Sequence, residues 1–177
     1  MVKNLLLTGV PGIGKTTLLR AVAEALAGQP VQGFLTEEIR LDGQRVGFGI
    51  RTLDGSTATL AHTRSRSAHR VGRYGVDVET LDRIVAALTP DEGASTYLVD
   101  EIGKMECMSR RFVAAMERLL LGRVPVVATV ALRGSGFIAE VKRRHEVELW
   151  EVTRPSRDEM PATVLHWLAA RGEPAPR

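Results

Sequence analysis

Gly9-Val10-Pro11-Gly12-Ile13-Gly14-Lys15-Thr16 fits the pattern GxxxxGK[ST], and it lies between the apolar run Leu5-Leu6-Leu7 and a helix-like stretch from Leu18 to Leu26. A strand that feeds a helix through a glycine-rich loop is the setting that gives this short pattern its meaning. Such a loop turns successive backbone N–H groups toward an anion, and its glycines permit backbone angles and close approach that a side chain would block. Gly9, Val10, Pro11, Gly12, Ile13 and Gly14 are therefore candidate phosphate-binding residues, together with Lys15, Thr16 and Thr17. Lys15 is expected to reach the β- and γ-phosphates of a nucleotide, and the Thr16 hydroxyl to ligate Mg²⁺. The reading predicts a P-loop α/β domain that opens with a strand over Val2 to Thr8 and a helix over Thr16 to Ala27, ended by Gly28 and Pro30.

Working outward, the second informative stretch is Thr96-Tyr97-Leu98-Val99 with Asp100-Glu101 at its end. A carboxylate pair at the C-terminal end of a buried strand sits where ligands bind in parallel α/β sheets. Asp100 is the candidate partner of Thr16 in holding Mg²⁺, directly or through water, and Glu101, one residue closer to the γ-phosphate, is the candidate general base. Phosphoryl transfer asks for a phosphate cradle, a cation and a group that orients the nucleophile, so Lys15 and Glu101 are the expected catalytic residues. A carboxylate poised over water points to hydrolysis more readily than to transfer onto a second substrate. Asp100-Glu101-Ile102-Gly103 also fits the DxxG element of GTPases, but the base-selecting NKxD motif is excluded because Asn4 is the only asparagine.

Phe34 to Leu41 and Arg45 to Leu53 flank Asp42-Gly43, a turn pair that predicts a β-hairpin inserted into the strand–helix alternation. Residues 54–69, rich in Ser, Thr, Ala and Arg, read as a mobile loop, followed by a short strand over Val71 to Val76 and a helix from about Glu79 to Leu88. A helix over Ser109 to Leu121, a strand over Pro125 to Val130, a helix over Phe137 to Arg144 and a strand over Val147 to Val152 continue the alternation. Ser156 and Glu159 are spaced as a capping box for a last helix that carries Pro161 in its first turn and runs to about Ala170. Residues 1–172 thus read as one domain and 173–177 as a frayed tail.

Composition sets outer bounds. The 177 residues are 44% hydrophobic and 25% charged, which suits one globular core. The net charge of +3 is too small to argue for a dedicated nucleic-acid surface. One cysteine, Cys107, forbids an intrachain disulfide, and His62, His69, His145 and His166 show no metal-ligand spacing with it. No apolar run approaches the roughly 18–20 residues of a membrane span, so no membrane partner and a cytoplasmic location are expected. Twenty of the 24 basic residues are Arg, which makes the choice of Lys at positions 15 and 104 notable, since a compact ammonium fits a phosphate loop better than a guanidinium fork.

Beyond the loop, the chain resembles the nucleoside-triphosphatase family that includes the human cancer-related nucleoside triphosphatase and thermophilic archaeal and bacterial relatives. The resemblance is carried by Gly33-Phe34-Leu35-Thr36-Glu37-Glu38-Ile39-Arg40, Arg45-Val46-Gly47-Phe48, Arg70-Val71-Gly72-Arg73-Tyr74 and above all Asp100-Glu101-Ile102-Gly103-Lys104-Met105-Glu106. It implies a RecA-like αβα sandwich with a mostly parallel sheet, and Mg²⁺-dependent hydrolysis of ATP, GTP, CTP, UTP and ITP to the diphosphate and phosphate with broad base tolerance. Cys107 stands where the family commonly has an aliphatic residue, and Ser156 where relatives often carry Asn, so Thr153 to Arg157 is either a base-contacting segment or a helix cap.

Other positions leave two readings each. Lys104 and Glu106 either pair with each other or face the nucleotide. Arg70 and Arg133 are either internal arginine fingers or solvated surface residues, and Arg64, Arg66, Arg70 and Arg73 form a thin candidate nucleic-acid patch without interleaved aromatics. Glu37 and Glu38 either approach Mg²⁺ or pair with Arg40 or Arg51, while Met105, Met108, Trp150 and Trp167 read as packing residues. Two other functional classes share the same loop: a nucleotide or small-molecule kinase, and a nucleotide-controlled RNA- or protein-binding switch.

Overall fold

A computed structural model describes residues 2–88 and 93–172; the tail expected over 173–177 lies outside the described residues. β1 (Asn4–Thr8) is buried at every position, as a strand paired on both sides and covered on both faces must be. It runs parallel to β8 (Val126–Val130) on one side and to β9 (Val147–Glu151) on the other. β8 pairs parallel with β7 (Thr96–Ile102), and β7 with β2 (Val31–Leu41).

Alternation along these strands splits the core in two. Leu5, Leu7, Leu98 and Val127 pack against α1 (Lys15–Ala25) and α5 (Met160–Gly172). Leu6, Tyr97, Val99, Val126 and Ala128 belong to the cluster that holds α2 (Val78–Ala86), α3 (Arg110–Leu121) and α4 (Phe137–Val141). The sheet is therefore a middle layer, and each fully buried leucine of β1 contributes about 1.5–3 kcal/mol. Asn4, the chain's sole asparagine, is used inside this core: its amide donates to the Leu120 and Glu146 carbonyls at 2.9 and 3.3 Å and accepts from Val126 N–H at 3.1 Å.

β2 is the joint between two kinds of sheet. On its other edge it pairs antiparallel with β3 (Gln44–Thr52) through Asp42 and Gly43, both at positive φ, as a tight two-residue turn requires. β3 continues to β4 (Thr57–His62), which meets β6 (Tyr74–Val76) and then β5 (Arg70–Val71), giving the order β5-β6-β4-β3-β2-β7-β8-β1-β9. The insertion is thus an antiparallel meander, longer than one hairpin. Residues 54–69 are accordingly not one loop: β4 occupies their centre, and only Leu60 and Ala61 of it are buried, which is why its composition looked polar. At the joint, a Cβ on Gly33 would fall 1.8 Å from the Leu98 carbonyl oxygen, so only glycine lets β2 approach β7 there.

Helix boundaries follow their caps. α2 starts one residue before the expected Glu79 because Asp77 accepts from Thr80 N–H at 2.9 Å, and α3 starts after Ser109, whose hydroxyl accepts from Phe112 N–H at 2.8 Å. α4 stops at Val141, three residues short of expectation. The capping box at Ser156 does not form: the Ser156 hydroxyl accepts from Thr153 N–H at 3.1 Å, four residues ahead of the helix start at Met160. Among the described residues no helix is long and apolar enough to cross a membrane.

Candidate functional site

The loop after β1 and the carboxylates on β7 meet at the C-terminal edge of the parallel strands. A cleft of about 1110 Å³ lies there, lined by Gly9, Val10, Pro11, Gly12, Gly14, Lys15, Thr16 and Thr17 on one side and by Glu101, Gly103, Lys104 and Glu106 on the other. Ile13 is the exception among the expected loop residues: it is buried and packs with α1 instead of facing the cleft. Gly14 caps α1 in the left-handed conformation, and Lys15 Nζ donates to the Gly9 carbonyl at 3.1 Å, an anchor across the mouth of the loop. Gly9 has no room for a side chain, because a Cβ would stand 2.7 Å from the Val152 carbonyl oxygen at the end of β9.

Asp100 is 1% exposed and its carboxylate is fully engaged. One oxygen accepts from Thr129 Oγ at 2.6 Å, and the other from Thr36 Oγ at 2.8 Å and Thr36 N–H at 3.2 Å. The carboxylate therefore sits behind Thr36, which lines the cleft while Asp100 does not. Of the two threonines, Thr36 belongs to one of the motifs quoted above, but neither was assigned a role from sequence. The readable signal was Thr129 itself, a hydroxyl in the otherwise aliphatic, fully buried strand Val126-Val127-Ala128-Thr129-Val130.

Glu101 faces the cleft. Burial raises its carboxyl above the ordinary carboxylate range; the nearby Lys15 charge opposes the shift and Asp100 adds to it. Glu106 is buried at 5% exposure and its carboxyl is pushed up to about 8, first by burial, with amide hydrogen bonds opposing and the charges of Glu101 and Asp100 adding. Gly103 separates the two: a Cβ there would lie 2.9 Å from Glu106 Oε2 and 3.5 Å from Glu101 Cδ, so a side chain at this position would push the Glu106 carboxyl aside. Among the described residues Lys104 forms no ion pair with Glu106, and both line the cleft. The Cys107 thiol is pushed up to about 12 by burial and then by Glu106, which fits a packing role.

The remaining candidates separate. Arg133 lines the cleft on the loop after β8, and Lys142 braces that loop by donating to the Ala131 and Leu132 carbonyls at 2.5 and 2.9 Å. Arg70 instead donates to the Ser65 and Arg73 carbonyls at 3.3 and 2.8 Å, holding its own β-turn outside the main cleft. Glu37 pairs with Arg51 at 2.6 Å, and Glu38 with Arg40 and Arg45 at 2.6 and 2.9 Å, so both acids line the cleft already paired. Those partners hold both carboxyls below the ordinary range. Ser156 is not among the lining residues. Trp150 and Trp167 donate to the two oxygens of Glu148 at 2.8 and 3.0 Å, fastening α5 to β9 away from the cleft.

Comparison with known proteins agrees along almost the whole chain. A family model described as NTPase matches residues 4–165. A protein named nucleoside-triphosphatase THEP1 from Thermotoga sp. is 39% identical over 173 residues, covering 96% of this chain and 98% of the relative. The human protein named cancer-related nucleoside-triphosphatase is 33% identical over 180 residues, covering 90% and 93%. The crystal structure of THEP1 from Aquifex aeolicus superposes with a TM-score of 0.84 at 32% identity, covering 93% of this chain and 98% of that one. The solution structure of a human cancer-related nucleoside triphosphatase gives 0.80 at 30% identity, covering 96% and 98%.

Proposed function

The chain belongs to the NTPase family, and from that premise we propose a single-domain, cytoplasmic P-loop enzyme that hydrolyses ATP, GTP, CTP, UTP and ITP to the diphosphate and phosphate with the help of Mg²⁺. One observation carries the reading: Lys15 and Glu101 line the same cleft, with Asp100 locked immediately behind it. β8 lies between the loop strand β1 and the carboxylate strand β7, an order consistent with a RecA-like core.

The donor set suits Mg²⁺. The Thr16 hydroxyl and the Asp100 carboxylate are hard oxygen donors, and among the described residues no cluster of three or more His, Cys, Asp or Glu offers a cage, as expected of an ion that takes the rest of its shell from phosphates and water. Since both Asp100 oxygens are engaged by threonines, its contact with the ion runs through water more readily than directly. When bound, the ion supplies charge neutralisation on the β- and γ-phosphates.

The chain's own residues supply the rest. Loop amides and Lys15 hold the phosphates. Glu101 orients a water and accepts its proton as the water oxygen attacks the γ-phosphorus. Its raised carboxyl makes it a stronger base than an exposed glutamate once ionised. Arg133, which also lines the cleft, adds a positive charge for the transferring phosphoryl group. No described residue lining the cleft supplies a base-selecting pair of the NKxD kind, which supports broad base tolerance. The test is phosphate release from the five triphosphates with and without Mg²⁺. Metal-dependent release from all five is expected, and metal-independent release or activity on a single base would overturn the reading.

A further inference from the structure

We infer that a second cavity, separate from the cleft but sharing Lys104 and Val71 with it, binds inorganic phosphate and is the route by which the cleaved γ-phosphate leaves. This rests on the hydrolase reading above and adds a product site to it. The need for such a route follows from what fills the cleft. The base and sugar of the triphosphate take its far wall, where Phe48 and Leu60 lie beside the Arg45 guanidinium, 5.0 Å above the Phe48 ring, and Tyr74 stands edge-on to that ring at 5.1 Å. The diphosphate stays on the loop with Lys15, so the γ-phosphate, once cut free, has a bound product on one side and Lys104 on the other.

The second cavity, of about 460 Å³, is made by three segments distant in sequence: Arg70 and Val71 of β5, Lys104 and Met108 after β7, and Ser135 and Ile138 around the start of α4. Its charge is of one sign. No Asp or Glu lines it, neither cation is in an ion pair among the described residues, and the Cys107 thiol beside them stays neutral because burial pushes it up to about 12. Arg70 is held by carbonyls instead of by a carboxylate: it donates to those of Ser65 and Arg73 at 3.3 and 2.8 Å, which uses two of the five guanidinium N–H groups and leaves three for an anion. A charge that is fixed without being neutralised is what an oxyanion site needs, and a guanidinium fork matches the oxygens of a phosphate. Val71, Met108 and Ile138 add apolar walls, which lower the local dielectric and strengthen the pull of both cations.

Lys104 gives the route its direction. It lines both cavities, and its ammonium, on a flexible stem, can follow the ion from one to the other, whereas Arg70 lies outside the main cleft and marks the far end. Both residues are exposed, and the cavity is wider than a bare phosphate requires, so the ion keeps part of its water and is held weakly, as a site that must let go demands.

The test is a titration of inorganic phosphate into the protein with ADP and Mg²⁺ on the loop, followed by methyl NMR. Met108 and Ile138 line the second cavity alone, Leu60 reports on the main cleft, and chloride at matched ionic strength is the control. Saturable shifts at Met108 and Ile138 are expected, with affinity at least about tenfold weaker in Arg70→Gln, the scale of one charge-assisted hydrogen bond, and partly restored in Arg70→Lys. Ser135→Asp, at an exposed position, puts a carboxylate in the path without touching the turn that Arg70 holds. Phosphate detected in solution by a fluorescent phosphate-binding sensor should then lag behind cleavage measured in acid-quenched samples, with release at least about tenfold slower than in wild type. Chloride that reproduces the shifts, shifts confined to Leu60, no saturable shift at all, or an Arg70→Gln affinity equal to wild type would overturn the site. Release that keeps pace with cleavage in Ser135→Asp would overturn the exit route. No cleavage in quenched wild-type samples would overturn the hydrolase reading, a result the phosphate titration does not share.

Discussion

The two halves of the sheet are built to different rules. The parallel half, β2-β7-β8-β1-β9, has its three central strands β7, β8 and β1 buried on both faces and carries the loop, Asp100 and Glu101 at the ends of two of them. The antiparallel half, β3-β4-β6-β5, is half exposed, held by paired surface charges and one aromatic plate, and contributes the far wall of the cleft. The contrast separates tasks. The loop and carboxylates of the proposed chemistry sit on the half with the buried strands, and the half-exposed strands add the far wall of the cleft.

The comparison can be broken first at its joint. Gly33→Ala puts a Cβ 1.8 Å from the Leu98 carbonyl, so β2, which carries the antiparallel strands on its other edge, must leave β7. We expect destabilisation beyond about 4 kcal/mol in chemical denaturation, in the range reserved for severe steric lesions. A variant that unfolds like wild type would mean that the halves are not rigidly joined. Next in size is Lys15→Ala, which removes a cleft cation without touching the core. Its kcat/KM should fall by about 10²–10³ in steady-state phosphate release, with the denaturation midpoint unmoved.

Thr129→Val tests whether Asp100 is held or merely buried. Losing its 2.6 Å donor leaves one oxygen of a buried carboxylate unsatisfied, costing about 1–3 kcal/mol of stability. The Mg²⁺ concentration for half-maximal activity should also rise about tenfold or more, the usual cost of losing an orienting partner. A change in stability alone would deny Asp100 its metal role.

The fourth expected effect is a pH dependence. Glu106 binds its proton more tightly folded than unfolded, because its carboxyl is raised from 4.5 to about 8. Between those values the native state holds a proton that the unfolded state has lost, so its contribution to stability is full below about 4.5, declines as pH rises and is gone above about 8. The slope is at most about 1.4 kcal/mol per pH unit. Glu106→Gln should flatten thermal stability across that window, and an unchanged profile would show that Glu106 is not the titrating group.

The same contrast explains what could be read in advance. Central strands such as Leu5-Leu6-Leu7 and Val126 to Val130 are continuous apolar runs, since both faces are covered, and the loop pattern between a strand and a helix leaves few alternatives. β4 did not announce itself, because Thr57 and Thr59 are exposed, Ala58 and His62 are half-buried, and only Leu60 and Ala61 are fully buried. In the site, Lys15, Thr16 and Glu101 were legible because their spacing to a motif is local. Thr36, Lys142 and the Phe48–Arg45 plate were not, because each acts on a partner far along the chain or across strands that no local pattern connects. The Ser156 cap failed for a related reason: a serine hydroxyl takes whichever amide the turn presents, and Thr153 was nearer.

The central claim, that Glu101 activates the nucleophile on a site assembled by Lys15, Thr16 and Asp100, is tested most directly by measuring ATP–Mg²⁺ affinity and single-turnover phosphate release side by side in wild type and Glu101→Gln. The account predicts affinity within about threefold of wild type and release slower by about 10²–10⁴, the contribution of a positioned general base. Equal release rates with unchanged affinity would contradict it.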